Sequence, residues 1–217
     1  MNIPEDSLRH DSISVALVKE KVDAAFPAAI ANLGDLVRIP GIAWDAFDPQ
    51  QLELSAEAVA DLFRATGIFE LVEIRRSEAN GKVGAPAVVA RREARNGRPQ
   101  VLLYAHHDVQ PPGDLSVWNT PEFQPTLIDG RIFGRGAADD KAGIVTHLTA
   151  IKTLVETLGN DFEVGVSIFI EGEEEAGSPT FRNFLEANKD VLAADVIIVA
   201  DSANWTTTIP ALTTTLR

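Results

Sequence analysis

The sequence predicts an α/β fold, a three-layer sandwich with a largely parallel, helix-covered central sheet. Two observations carry that reading. Three apolar, β-rich runs, Val101 to Ala105, Val164 to Ile170 and Val196 to Ala200, read as buried strands. Segments with helical spacing separate them, from about Lys141 to Leu158 and near Thr180 to Asn188. Parallel neighbours need a long crossover to bring the chain back, and a helix is the usual one.

Taken in chain order, Ser14 to Val37 carries apolar side chains at helical spacing, interrupted at Pro27. The stretch IPGIAWDAFDP is a Pro- and Gly-punctuated loop. A second helix from Gln50 to Thr66 meets a stop at Gly67. Both are expected to be surface helices. FELVEIRR and PAVVARRE then alternate as half-buried strands do. Within FQPTLIDGRIFG, Asp129-Gly130 separates two short strand-like stretches and predicts a tight hairpin. There is no internal repeat, low-complexity tract or domain linker.

The 217 residues are 45% apolar and 24% charged, which places them among ordinary globular chains able to bury one core. A formal charge of -13 argues against nucleic acid, whose phosphates need a clustered basic face. With no Cys, neither a disulfide framework nor a Cys-based zinc site can form. The start MNIPEDSLRHD lacks the basic and then apolar regions of a secretory signal, and no apolar run approaches a membrane span. A soluble, cytoplasmic protein without membrane partners is expected.

Each buried strand runs directly into residues that can bind metal: His106, His107 and Asp108, then Glu171 to Glu175, then Asp201. In open α/β sheets ligands sit in the crevice outside the carboxyl ends of the strands, so these groups are candidates to meet. The acidic pair Asp139-Asp140 joins them, opening the helix after GRGAA. Singly each is bland: Asp139 could cap a helix, and a lone His106 could be a core histidine. Jointly they would be four coincidences at neighbouring strand and helix ends. If the strand persists, His106 and Asp108 project from one face, about 6–7 Å apart along the chain, where a carboxylate can orient the imidazole. His107 points the other way and reads as structural, while His10 and His147 have no acidic partner at a telling spacing. GRGAADDKAG lacks the third glycine of a dinucleotide fingerprint and the ending of a Walker loop. Its small residues instead let the backbone turn and aim Asp139 into the crevice.

HHDVQPPG, TLIDGRIFGRGAADDKAG, EGEEEAGS and DSANW with LTTTLR, in this order over about Val101 to Arg217, resemble the co-catalytic metallopeptidases. That family includes carnosinase-like dipeptidases, aminoacylases, succinyl-diaminopimelate desuccinylase and glutamate carboxypeptidases. The resemblance implies a zinc-peptidase-like catalytic domain with two divalent cations, zinc first and manganese or cobalt as alternatives. It implies that His106 and Asp201 bind one metal, Glu175 the other, and Asp139 bridges both. Asp108 would orient His106, and Glu174 would be the general base acting on a metal-bridging water. It also implies a cis peptide between Asp139 and Asp140.

The reaction so implied is hydrolysis of a dipeptide or short peptide. An N-acyl-amino-acid deacylase is the alternative within the same chemistry, and a non-enzymatic metal-binding module the alternative outside it. Family members also carry a further metal-ligand histidine near the C-terminus and an inserted lid that contacts substrate and mediates homodimerisation. Neither is present, so residues 1–217 are expected to be the N-terminal portion of the catalytic domain, with impaired activity alone and with sheet edges left uncovered.

Overall fold

A computed structural model of the protein describes residues 15–206 and 208–213. Helix α1 (Val15–Val37) runs without a break through Pro27. The predicted interruption is absent because both Asp23 and Pro27 are exposed, so the carbonyl that the proline cannot serve faces water. Ser14 and His10 lie outside the described residues. Helix α2 (Gln50–Arg64) buries Leu52, Ala56, Val59, Ala60 and Phe63, one stripe at helical spacing that lies on the sheet.

The strands that follow are β1 (Leu71–Arg75), β2 (Glu78–Ala79), β3 (Lys82–Val83), β4 (Ala87–Arg92) and β5 (Gln100–His106). A hairpin of β6 (Thr126–Ile128) and β7 (Arg131–Phe133) turns at Asp129 and Gly130, both with positive φ as a tight hairpin requires. Helix α3 (Lys141–Leu158), strand β8 (Gly165–Glu171), helices α4 (Phe181–Ala187) and α5 (Lys189–Leu192), and strand β9 (Val196–Val199) complete the described order. Strands β2 and β3 form a second small hairpin that was not anticipated, turning at Asn80-Gly81.

The five-stranded sheet has the order β1-β4-β8-β5-β9. Strand β5 pairs in parallel with β8 and β9, and β4 pairs antiparallel with β8 and β1. Four strands therefore run one way and β4 alone opposes them, the mostly parallel sheet that was expected. One face is covered by α1, α2 and α3 around Leu36, Phe63, Ile144 and Ile168. The other carries α4 and α5, with Phe169 stacked on Phe184 at 5.0 Å between ring centres.

Two expectations about burial are overturned. Strand β4 was expected to be half-buried, yet five of its six residues are buried, because it lies between β1 and β8 with a core on each side. Val88 and Ala90 enter one core, and Ala87 and Val89 the other. Strand β9 was expected to be buried, yet all four residues are exposed. It is an edge strand paired only to β5, and among the described residues no helix lies over it.

Candidate metal centre

Strands β5, β8 and β9 end on the same side of the sheet because they are parallel. His106 is the last residue of β5 and is fully buried. Its backbone N–H donates to Asp140 Oδ2 at 3.2 Å. Beyond β9 the pairing continues for one bond, Ala200 N–H to the Tyr104 carbonyl at 3.0 Å, which delivers Asp201 beside the imidazole. Gly143 in the first turn of α3 makes room for that approach: a Cβ there would strike Asp140 Oδ1 and the Ala200 carbonyl.

The His106 Nδ1 lies 3.0 Å from the Asp108 carbonyl oxygen and 3.4 Å from its carboxylate. Donation from Nδ1 to the Asp108 carbonyl leaves Nε2 as the nitrogen that a cation would take on loss of its proton. Nε2 faces Asp139 Oδ1 at 3.1 Å, Glu174 Oε2 at 3.9 Å and Asp201 Oδ2 at 4.0 Å. Two overlapping groups result, His106 with Asp139 and Glu175, and His106 with Glu174 and Asp201. In each, the donor atoms lie within 4.8 Å of one another. The structure thus brings together His106, Asp139, Glu174, Glu175 and Asp201.

Asp108 differs from its expected geometry. Strand β5 ends at His106, so the two side chains do not simply share a strand face. The buried Asp108 carboxylate instead accepts the backbone N–H of Glu174 at 3.2 Å and of Glu175 at 3.0 Å, and contacts the imidazole at longer range. It fixes the loop that carries both glutamates. Gln110, which sequence reasoning missed, donates from Nε2 to Glu175 Oε2 at 2.7 Å, and nothing but its place in HHDVQPPG could have marked it. Asp140, flagged only as half of an acidic pair, braces the backbone of His106. The Asp139-Asp140 peptide is cis, as the resemblance implied. Lys141, also unassigned, is buried with Nζ donating at 2.7 Å to the carbonyls of Leu36 and Ile39, which anchors α3 to the end of α1.

His107 is buried and donates from Nε2 to the Pro86 carbonyl at 2.8 Å, and burial holds its pKa low. His147 bonds the Tyr104 carbonyl beneath the sheet. Neither joins the cluster.

The cluster is short of positive charge. Burial pulls the His106 pKa down, but the hydrogen bond to Asp108 and the charges of Asp108, Asp140 and Asp201 outweigh it and raise the pKa to about 10. Burial lifts Asp140 to about 7, with Asp201 and Asp139 adding to the rise and His106 opposing it. Glu174 is also raised, first by burial, then by Asp201 and Glu175, against His106. Carboxylates that cannot all ionise comfortably around one imidazole form a donor set that a divalent cation neutralises.

Residues 102–213, more than half of the chain, match the model of peptidase family M20/M25/M40. The chain is 37% identical over 134 residues to a cysteinylglycine-S-conjugate dipeptidase of Corynebacterium striatum, covering 61% of this chain and 29% of that protein. It is 31% identical over 211 residues to the Cys-Gly metallodipeptidase dug1 of Schizosaccharomyces pombe, covering 94% and 44%. The fold superposes on the dipeptidase Dug1p of Saccharomyces cerevisiae with a TM-score of 0.79 at 21% identity, over 89% of this chain and 42% of that one. The chain therefore spans less than half the length of these relatives. The family match covers more than half of the chain and includes every candidate ligand from His106 to Asp201, and the chain belongs to peptidase family M20/M25/M40.

Proposed function

We propose that the chain carries the metal-binding part of a dipeptidase that hydrolyses a short peptide with Glu174 as general base. The observation that carries this reading is the convergence of one imidazole and four carboxylates outside the carboxyl ends of β5, β8 and β9. His106 and Asp201 would hold one cation, Glu175 the second, and Asp139 both. Imidazole with carboxylates suits zinc, manganese or cobalt. Two cations, when bound, lower the pKa of a shared water and polarise the scissile carbonyl.

The chain's own residues supply the rest. Glu174 is partly exposed at the mouth of the cluster, and its raised pKa suits a carboxylate that takes a proton and later returns it to a leaving amine. Glu175 is held by Gln110 and by Asp108 through its backbone, so the adjacent glutamates are free to take different tasks. The dipeptidase names of two relatives favour a Cys-Gly type of substrate over an acylated amino acid.

The test combines calorimetric titration with Zn²⁺ or Mn²⁺ and a panel of dipeptides against N-acyl amino acids. His106→Ala is expected to abolish tight cation binding. Glu174→Gln is expected to keep the cation while losing at least about 100-fold in turnover. Near-normal turnover in Glu174→Gln would remove the base assignment, and a wild-type chain that binds no cation would overturn the reading as a whole.

A further inference from the structure

Glu173, the residue before the proposed base, is buried and lacks a metal-facing role, yet its carboxylate is served by three donors. Thr180 contributes its backbone N–H and its hydroxyl to Oε1, each at 2.7 Å, and Ala85 its N–H to Oε2 at 3.1 Å. The Glu173 carbonyl accepts the N–H of Ala176 at 3.2 Å and of Ser178 at 2.9 Å. One residue therefore closes the loop 173–180 on itself and ties it to the turn before β4. Glu174 and Glu175 leave Glu173 in a single turn of 3₁₀-helix, whose other anchor is the Asp108 carboxylate on their two N–H groups. The glutamate pair is thus pinned from two sides by two buried carboxylates.

The approach of the two loops depends on Gly84. A Cβ there would strike the Thr180 hydroxyl and lie 2.8 Å from Glu173 Oε2. A carboxylate brought into an already acidic neighbourhood costs desolvation and repulsion. Closing a loop could be done by a neutral side chain. The bidentate use of both oxygens, one on each loop, needs an acceptor at both ends, which a carboxylate offers and an amide does not.

We propose that Glu173 is a positioning residue for the metal centre, setting the reach of Glu175 and Glu174 through a clamp completed by Thr180, Ala85 and Gly84. The proposal rests on the metal-binding reading above. In Glu173→Gln, one oxygen becomes an NH₂ that faces a second donor, either Ala85 or Thr180, so one end of the clamp opens. Supporting groups of this kind are worth roughly 10–100-fold in metal affinity.

The experiment measures Zn²⁺ affinity by calorimetry and the visible spectrum of the Co²⁺-loaded chain. It compares wild type, Glu173→Gln, Gly84→Ala, Thr180→Val and Thr180→Ser, each checked for fold by metal-free circular dichroism. Glu173→Gln and Gly84→Ala are expected to bind Zn²⁺ roughly 10–100-fold more weakly, with an altered Co²⁺ spectrum. Thr180→Val, which loses one of the three donors, is expected to weaken binding about tenfold, and Thr180→Ser, which keeps the hydroxyl, to restore it. If Glu173→Gln does not fold, the Thr180 pair decides: recovery in Ser but not Val supports the clamp, and wild-type affinity in Val overturns it. Folded variants with wild-type affinity and spectrum likewise overturn it. A wild-type chain that binds no cation defeats the metal reading first and this proposal with it, whereas normal wild-type binding with indifferent variants defeats the clamp alone.

Discussion

His106 decides how the centre responds to pH. With its pKa raised to about 10 by Asp108, Asp140 and Asp201 against the pull of burial, the metal-free imidazole holds a proton at neutrality. A cation on Nε2 must displace it, so binding releases a proton and tightens as pH rises. Affinity is expected to climb roughly tenfold per pH unit between about 8 and 9, above the Asp140 pKa and below that of His106, since one unit of linkage is 1.36 kcal/mol per proton. Titrations near pH 8.5 in buffers of different ionisation heat would show about one proton released, and a pH-independent affinity would contradict the assignment. Of the six residues singled out in the sequence, His106, Asp139, Glu174, Glu175 and Asp201 fall in the ligand groups, and all but Asp139 were legible because an apolar run followed by His, Asp or Glu is visible without a structure. The supporting contacts were not legible. Asp108 serves two backbone amides from a loop 66 and 67 residues away, and Gln110 reaches Glu175 across 65, pairings that no local pattern encodes.

Among the elements, those whose period and boundaries coincide were readable, and α3 begins and ends where the pattern places it, at Lys141 and Leu158. Where proline meets an exposed face the pattern misleads. Pro27 interrupts the helical reading, yet α1 tolerates it because only Leu33, Gly34, Leu36 and Val37 of that helix are buried and its first half borders solvent. Pro27→Ala should therefore stabilise α1 locally by restoring a donor to the Asp23 carbonyl. The gain is bounded by the ~3 kcal/mol that separates the two residues in a helix interior and reduced by the looser unfolded chain. Slower hydrogen exchange between Val15 and Phe26, with little change in the core, is the expected result, and unchanged exchange there would refute it. The β2–β3 hairpin went unread although Asn80-Gly81 is a strong turn signal, because two-residue strands carry no period to detect. The burial of β4 escaped for a tertiary reason: alternation shows that a strand has two faces, not that both are covered.

For the molecule as a whole, a formal charge of -13 opposes contact between copies, while one edge of the sheet invites it. Strand β9 exposes Val196, Ile197, Ile198 and Val199 by 46–62%, and Trp205 and Leu212 beyond it by 80% and 92%. Its outer edge has no strand partner among the described residues, so unpaired backbone groups lie next to apolar side chains. Repulsion fades within a Debye length, about 8 Å at physiological salt, whereas apolar burial and strand pairing act at contact. Salt should therefore promote self-association instead of dissolving it. Sedimentation over a range of concentrations is expected to show growing assemblies of the wild-type chain as salt rises from about 0.01 to 0.15 M. Ile197→Lys places a charge on the most exposed residue of the strand, a device natural edge strands use against pairing. This variant should remain monomeric under the same conditions with unchanged cation affinity, because Ile197 belongs to neither ligand group and its side chain is exposed. A wild-type chain that stays monomeric in salt, or a lysine variant that assembles equally well, would show that β9 is not the contact.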